Sequence, residues 1–115
     1  MAVIASNTIT GTNGTVTLTR TTLGASDTIT YVSGGGQILV IENPTGGSLT
    51  ATIDGSGSTT ISPEGLGGTV DVSGGYAITV AAGAAKAVRL DKIAAYLAGT
   101  VTVTGAATAV AYILV

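Results

Sequence analysis

Two segments share the pattern V-S-G-G-x-x-I-x-V, namely VSGGGQILV at residues 32–40 and VSGGYAITV at residues 72–80. Glycine-rich loops bind phosphate when they lead into a helix whose N-terminal N–H groups point at the anion. Here each glycine run leads into alternating apolar residues that predict a strand, and the sequence contains no G-K-[ST] motif. The pattern therefore predicts two tight turns that precede strands, and no phosphate site.

A second candidate for ligand chemistry is the polar run that begins at Asp54. Asp54, Ser56 and Ser58 alternate as the first ligands of a calcium-binding loop do. The twelfth position of such a loop is a glutamate, but here it is Gly65, and Glu64 stands one place early. This mismatch favours a polar surface turn.

The six acidic residues are also candidates for glycoside hydrolysis, which needs two carboxylates. Most of them lie at predicted turns. Glu42 is the exception, within an apolar segment, and the sequence shows no catalytic partner for it. We expect Glu42 to face solvent at a strand end or to pair with Arg89 or Lys86.

Several function classes are disfavoured by residues that the sequence lacks. Histidine and cysteine are absent, which removes the Ser-His-Asp triad, the usual zinc ligands and disulfides. The net charge is −2 with only four basic residues, so the cationic surface of a nucleic-acid binder is missing. No apolar run reaches the roughly 18 residues of a membrane span, and residues 1–10 do not resemble a signal peptide. We expect a protein made in the cytosol without cleavage that is not an enzyme, with no catalytic, cofactor or metal site and no nucleic-acid or membrane partner.

The elements of the fold are predicted by alternation of Thr with Val, Ile or Leu. This pattern predicts roughly eight to ten strands separated by glycine-rich turns, and hence an all-β fold, an antiparallel β-sandwich or a jelly-roll-like barrel. The length of 115 residues predicts one domain, a sandwich over residues 8–115 after an extended arm at residues 1–7. Because the chain has no Phe and no Trp, its small core favours burial against another copy or another protein.

Turn residues and alternation together predict three hairpins with a defined register. The first, around Asn13-Gly14, pairs Thr8 with Thr19 and Ile9 with Leu18. The second, around residues 73–75, pairs Val72 with Tyr76 and Val70 with Ile78. The third, around residues 105–108, pairs Val101 with Tyr112 and Val103 with Val110. Residues 37–43 and 109–115 are apolar on both faces, which predicts strands inside a sheet or, for the last strand, at a subunit contact. Asp91 is predicted to cap a short helix over residues 92–98 that ends at Gly99.

Three segments carry a resemblance to a known family: GGGQILVIENPTGGSLTATIDG (34–55), YAITVAAGAAKAVRLD (76–91) and AGTVTVTGAATAVAYILV (98–115). They resemble small virion proteins of tailed bacteriophages, of the capsid decoration or cement type. In that family a glycine leads an apolar strand that ends in Asn, and a glycine-rich turn and a Thr-alternating strand follow. An AAG turn comes later, and a Thr/Val hairpin closes the chain.

The resemblance implies a β-sandwich that binds the major capsid protein on the outer surface of the capsid, often as a trimer, and stiffens the shell. It also implies a virion location for a protein made in the host bacterial cytoplasm. The slight acidity suits the outer capsid surface better than the DNA-lined interior. The alternatives are another virion part (tail-tube, head-completion or fibre-associated protein) or a carbohydrate-binding β-sandwich module, which needs exposed tyrosines that stack on sugar rings.

The expected contacts with a partner lie at the two ends of the chain. Residues 1–7 are predicted to form an arm that adds to a neighbour's sheet. The expected interaction residues are Ala2, Val3, Ile4, Ile9, Tyr112 and Ile113. Lys86, Arg89 and Lys92 form the one basic cluster of the sequence, which is typical of a solvated face and is suited to an acidic partner surface.

Overall fold

The computed structural model describes residues 3–8, 15–57, 60–61, 65, 67–68, 70–71 and 74–115. In this part of the chain strands predominate, with one 3₁₀ helix over Leu90–Tyr96. The strands in chain order are β1 (Ser6–Asn7), β2 (Thr21–Thr22), β3 (Ser26–Ile29), β4 (Ile38–Glu42), β5 (Leu49–Gly55), β6 (Thr60–Ile61), β7 (Val70–Asp71), β8 (Tyr76–Val80), β9 (Ala85–Arg89), β10 (Val101–Thr104) and β11 (Val110–Leu114).

The strands form two main sheets that pack face to face. The five-stranded sheet has the order β1-β11-β4-β9, and β2 also pairs with β11. The four-stranded sheet has the order β3-β10-β5-β8, and β6 pairs with β7 alone. Among the named strands, only the pairing of β1 with β11 is parallel. Neither sheet closes into a barrel, so the predicted all-β sandwich is confirmed.

The two predicted interior strands are confirmed. Strand β4, from the segment 37–43, lies between β11 and β9, and β11 lies between β4 and the pair β1 and β2. Their inward side chains, Leu39, Ile41, Ala111 and Ile113, are buried against the four-stranded sheet. Alternating burial along both strands follows from the two-residue period of extended backbone.

Most connections between consecutive strands cross from one sheet to the other, and this overturns the predicted C-terminal hairpin. Val101 and Val103 lie in β10 of the four-stranded sheet, whereas Val110 and Tyr112 lie in β11 of the five-stranded sheet. The predicted pairs Val101–Tyr112 and Val103–Val110 are therefore wrong. Residues 105–108 carry the chain from one sheet to the other. The alternating apolar residues of both strands point into the shared core, and the two strands do not pair with each other.

The predicted hairpin around the second glycine repeat is also wrong. Val70 lies opposite Ile61 and Ile78 lies opposite Ala51, so Val70 and Ile78 belong to different sheets. Val72, the predicted partner of Tyr76, lies outside the described residues. The chain leaves β5, forms the separate β6–β7 pair and returns as β8 alongside β5.

The predicted N-terminal hairpin falls largely outside the described residues, since residues 9–14, including Ile9, are not among them. Residues 15–19, its predicted second strand, form no strand. The Asn7 side chain instead binds the backbone of Thr19: its Oδ1 accepts from the Thr19 N–H at 2.7 Å and its Nδ2 donates to the Thr19 carbonyl at 3.0 Å. This clasp occupies backbone groups of Thr19 that a hairpin ladder would use.

The predicted helix is present but differs in type, start and cap. It is a 3₁₀ helix that begins at Leu90, ends at Tyr96 and has a kink at Ile93. Leu90 and Ile93, three residues apart, are both buried, which fits the three-residue period of a 3₁₀ helix. Asp91 lies inside the helix and does not cap it, whereas Gly99 has the expected positive φ of 76° just beyond its end. No helix in the described residues is long and apolar enough to cross a membrane.

Buried polar side chains tie the loops to this framework. Asn43, only 1% exposed, donates from Nδ2 to the carbonyls of Gly47 (2.7 Å) and Val80 (3.0 Å), and its Oδ1 accepts from the N–H of Thr45 at 3.0 Å. Its amide thereby fixes the predicted turn after β4 and links it to the four-stranded sheet. Such fully paired buried groups favour one loop conformation over others.

Candidate interaction surface

The outward faces of the two sheets differ in chemistry. On the four-stranded sheet most outward positions carry hydroxyl groups; these are Ser26, Thr28, Thr50, Thr52, Thr79, Thr102 and Thr104. On the five-stranded sheet the outward positions of β11, β4 and β9 are mostly apolar; these are Val110, Tyr112, Leu114, Ile38, Val40, Ala85 and Ala87. We call the first set the hydroxyl face and the second the apolar face.

Val40 lies at the centre of the apolar face. Tyr112 stands opposite it on β11 and Ala87 opposite it on β9. In the next row Ile38 lies between Leu114 and Arg89. These apolar side chains point away from the sandwich core and remain partly exposed to solvent. A contiguous apolar patch across three neighbouring strands is typical of a protein interaction site.

Charged side chains border the apolar face. Glu42 ends β4, next to Tyr112 on the outward side, and Arg20 lies close enough to act on Tyr112 electrostatically. Burial, followed by the hydrogen-bonding and charge effects of the Glu42 carboxylate, raises the pKa of the Tyr112 hydroxyl. On β9 the exposed Arg89 lies on the outward side, next to Ile38, whereas the exposed Lys86 stands opposite Ile41 and projects from the other side of the sheet edge. An apolar centre that contains a tyrosine, with a charged rim, is the usual composition of an interface.

Of the predicted interaction residues, Tyr112 lies on the apolar face and Val3 is 62% exposed elsewhere. Ile113 and Ile4 are buried in the core of their own chain, at 1% and 2% exposed. Ala2 and Ile9 lie outside the described residues. The other residues of the apolar face could be suspected only because β4 and β11 carry apolar residues on both faces. That pattern does not show which of the two faces remains exposed to solvent.

The described part of the predicted arm lies across both sheets of its own chain. The Ile4 N–H donates to the Thr28 carbonyl in the four-stranded sheet at 2.8 Å. Ser6 and Asn7 then pair in parallel with the end of β11 in the five-stranded sheet. Residues 3–7 therefore join one margin of the sandwich, and the addition of residues 1–7 to a neighbour's sheet stays a prediction.

The first glycine repeat forms the turn that the sequence predicts, and its N–H groups bind a carboxylate of the same chain. Asp91 Oδ1 accepts from the Gly34 N–H at 3.0 Å and from the Tyr31 hydroxyl at 2.8 Å, and Oδ2 accepts from the Gly36 N–H at 3.0 Å. Gly34 and Gly36 have φ values of 73° and 69°, the left-handed region that glycine tolerates. The N–H groups of Gly34 and Gly36 thus bind one anion, Asp91, whereas the Gly35 N–H between them donates to the Val32 carbonyl at 3.0 Å.

The hydrogen bonds lower the pKa of Asp91. The largest contribution comes from the Tyr31 hydroxyl, followed by the N–H groups of Gly36 and Gly34, with a smaller effect from the charge of Arg89. The loop that joins β3 to β4 is thereby linked to the 3₁₀ helix. Its N–H donors are used internally, so the loop is a structural turn.

The described residues give little support to the other chemistries that the sequence raised. They contain no cluster of three or more acidic side chains placed to bind a metal, and no pocket is found in them. Tyr76 and Tyr96 pack edge to face against each other, with ring centroids 5.6 Å apart, and Tyr31 binds Asp91. Tyr112 alone among the tyrosines lies on an open sheet face, so a single ring is placed for stacking on a sugar ring.

Comparison with known proteins gives no relative. The sequence matches no protein-family model and no characterised protein, and the structure matches no solved structure. The apolar face and the sandwich that carries it are therefore the observations from which a function is inferred.

Proposed function

We propose that the chain is a structural protein of a tailed-bacteriophage virion that binds the outer surface of the capsid and stabilises the shell. The observation that supports this proposal is the apolar face, centred on Val40 and Tyr112. Apolar side chains on an open sheet gain free energy when another protein covers them, whereas the hydroxyl face is already suited to water. The resemblance of three long segments to decoration proteins supplies the class of partner, the major capsid protein.

The framework behind the face suits a clamping role because it holds its loops by internal hydrogen bonds. Gln37, which is buried, accepts from the Val32 N–H at 2.7 Å and donates to the Thr30 carbonyl at 2.9 Å. Asn43 and Asn7 do the same for the turn after β4 and for Thr19. A preorganised surface loses little conformational entropy when it binds.

The proposal includes a homo-oligomer, with a trimer favoured by the resemblance. The core is built from aliphatic side chains, and one outward sheet face is apolar. Burial of this face against copies of the chain, as well as against a shell, would therefore be favourable. Light scattering on the purified chain measures the mass: three chains per particle are expected, and a monomer at micromolar concentration would contradict this part of the proposal.

The decisive experiment uses empty shells assembled from the major capsid protein encoded in the same genome. The chain should sediment with these shells in a saturable ratio and raise the temperature at which they dissociate. Tail structures from the same virion serve as the control particle. Binding to tails without binding to shells would replace the proposal by the tail-protein alternative, and binding to neither would overturn a virion attachment role.

A further inference from the structure

The outer edge of β9 offers backbone hydrogen-bonding groups to another strand. Hydrogen bonds at both ends of the β9–β4 ladder show its phase: the Asn43 N–H donates to Ala84 O at 2.8 Å, and the Leu90 N–H donates to Gln37 O at 3.0 Å. In an antiparallel ladder alternate residues direct their N–H and C=O to opposite sides. The residues that direct both groups away from β4 are therefore Ala85, Ala87 and Arg89. No strand of the described chain pairs with that side.

The side chains along this edge leave room for a partner strand and carry positive charge. Ala85 and Ala87 are small, exposed and continuous with the apolar face. Lys86, Arg89 and Lys92, three of the four basic residues of the chain, lie on β9 or just beyond it and are exposed. The one acidic residue among them, Asp91, has both carboxylate oxygens engaged by Tyr31 and the glycine loop.

The neighbouring edge strand β8 provides an internal comparison. The bond from the Ser56 N–H to Thr100 O fixes the phase of the β5–β10 ladder, and from it Ala77 and Thr79 direct their backbone groups outward from β8. This edge carries no charged side chain within β8. The positive charge therefore distinguishes β9 from an otherwise similar open edge.

The same charge argues against a second copy of β9 as the occupant. Antiparallel pairing of two β9 strands would put the two positive charges of each copy on one strand pair with no acidic residue within β9 to offset them, and this concentration of like charge is unfavourable. An acidic strand has the complementary charge, and its carboxylates can form charge-assisted hydrogen bonds with Arg89.

We propose that the outer edge of β9 binds an extended acidic segment of a partner protein, which adds to the five-stranded sheet as a further strand. The partner backbone pairs with Ala85, Ala87 and Arg89. Its acidic side chains lie on the side of Lys86, opposite to the apolar face, and one further acidic side chain at the end of the segment lies near Arg89. Its apolar side chains extend the apolar face beyond Ala87. The inference deepens the proposed function, on which it rests for its biological role, by naming the contact and the chemistry of the partner.

A direct probe is a synthetic peptide that alternates Val with Glu and has one further Glu in place of a terminal Val, so that one carboxylate reaches the face of Arg89 and the others the face of Lys86. The same peptide with Lys in place of Glu is its charge control. In an NMR titration at low salt the Glu peptide should shift the amide signals of Ala85, Ala87 and Arg89 and slow their hydrogen exchange. The Lys peptide should bind at least about tenfold more weakly, and added salt should weaken the Glu peptide. Shifts confined to other strands, equal binding of both peptides, or no shift at millimolar peptide would overturn the proposal.

Proline substitutions test the edge itself. Ala87→Pro removes an outward N–H that makes no bond to β4, so the fold should remain while peptide binding is lost. Ala77→Pro removes an outward N–H from β8 and should leave peptide binding unchanged. Should Ala87→Pro fail to fold, the double variant Lys86→Glu/Arg89→Glu takes its place and should reverse the preference toward the Lys peptide. Peptide binding by Ala87→Pro equal to that of the unmodified chain would overturn the proposal.

Shell binding separates this inference from the proposed function. If shells bind the unmodified chain and the Ala87→Pro chain equally, shell attachment stands and the β9 contact is overturned. If the Glu peptide binds at β9 but shells bind neither chain, the acidic-strand site stands and the shell as its partner is overturned.

Discussion

The Asp91 carboxylate accepts a hydrogen bond from the Gly34 backbone N–H at 3.0 Å, although the two residues are 57 positions apart in the chain. With Tyr31 and Gly36 as further donors, Asp91 joins the 3₁₀ helix to the loop between β3 and β4. The first glycine repeat thus binds an anion of its own chain, and the loop and the helix are stabilised as one unit.

Lowering the pH should weaken the contact between the loop and the 3₁₀ helix, and Asp91→Asn should abolish this pH dependence. The pKa of Asp91 is lowered chiefly by the Tyr31 hydroxyl, so its stabilisation is complete above the ordinary Asp pKa of about 3.9 and is lost as the pH falls through the lower folded-state pKa. Thermal unfolding from pH 7 to pH 2 should show a larger decrease below about pH 4 for the unmodified chain than for Asp91→Asn. Parallel curves for the two proteins would contradict the link.

The N-terminal segment allows a test with two adjacent residues. Ile4 is 2% exposed and Val3 is 62% exposed. Ile4→Ala should lower the free energy of unfolding by about 2–4 kcal/mol, because it removes buried methyl groups and leaves a cavity, and Val3→Ala should change it by less than about 0.5 kcal/mol. Urea denaturation measures both. Equal, small effects would show that Ile4 does not pack in the core of the free chain.

Gly55 should not tolerate even a methyl group. A Cβ at this position would overlap the Ala98 carbonyl oxygen and lie 2.7 Å from the Ala98 nitrogen, and these backbone atoms cannot move away cheaply. Gly55→Ala should therefore destabilise the domain by about 1–3 kcal/mol through overpacking. Gly46→Ala is the control, since a methyl group there would meet nothing within 4 Å, and it should stay within about 0.5 kcal/mol of the unmodified chain in urea denaturation. If Gly55→Ala leaves the free energy of unfolding unchanged, the loop at Ala98 must lie farther from β5 than in this structure.

Local alternation predicted several strands, though not the irregular course of residues 15–19, and it did not predict which strands pair. Residues 37–43 and 109–115 are interior strands as predicted, because two-sided apolarity marks them without reference to the rest of the chain. The predicted Val103–Val110 pairing is wrong because alternation is the same for two strands of one hairpin and for two strands that face each other across a core. A turn between them does not distinguish the two cases.

The candidate surface was only partly predictable for a related reason. Tyr112 was predicted to contact a partner, but Val40 joins it only because β4 and β11 pair with these residues opposite each other. Asp91 was predicted to cap the helix, but its carboxylate binds the Gly34 N–H instead. A helix cap can be predicted from neighbouring residues, whereas the contact with Gly34 cannot. Long-range pairing decides both features, and the sequence alone carries no short motif for it.

Charge placed at the centre of each outward face tests whether the apolar face is the attachment surface. Val40→Lys puts an ammonium at the middle of that face, and Thr52→Lys puts one on the hydroxyl face at a comparable, half-buried position. Both variants should keep the fold by circular dichroism, because neither side chain points into the core. Val40→Lys should weaken shell binding at least about 100-fold, since burying an unpaired charge in an apolar contact is strongly unfavourable, and Thr52→Lys should leave it within about threefold. The reverse order of effects in a sedimentation assay would assign attachment to the hydroxyl face instead.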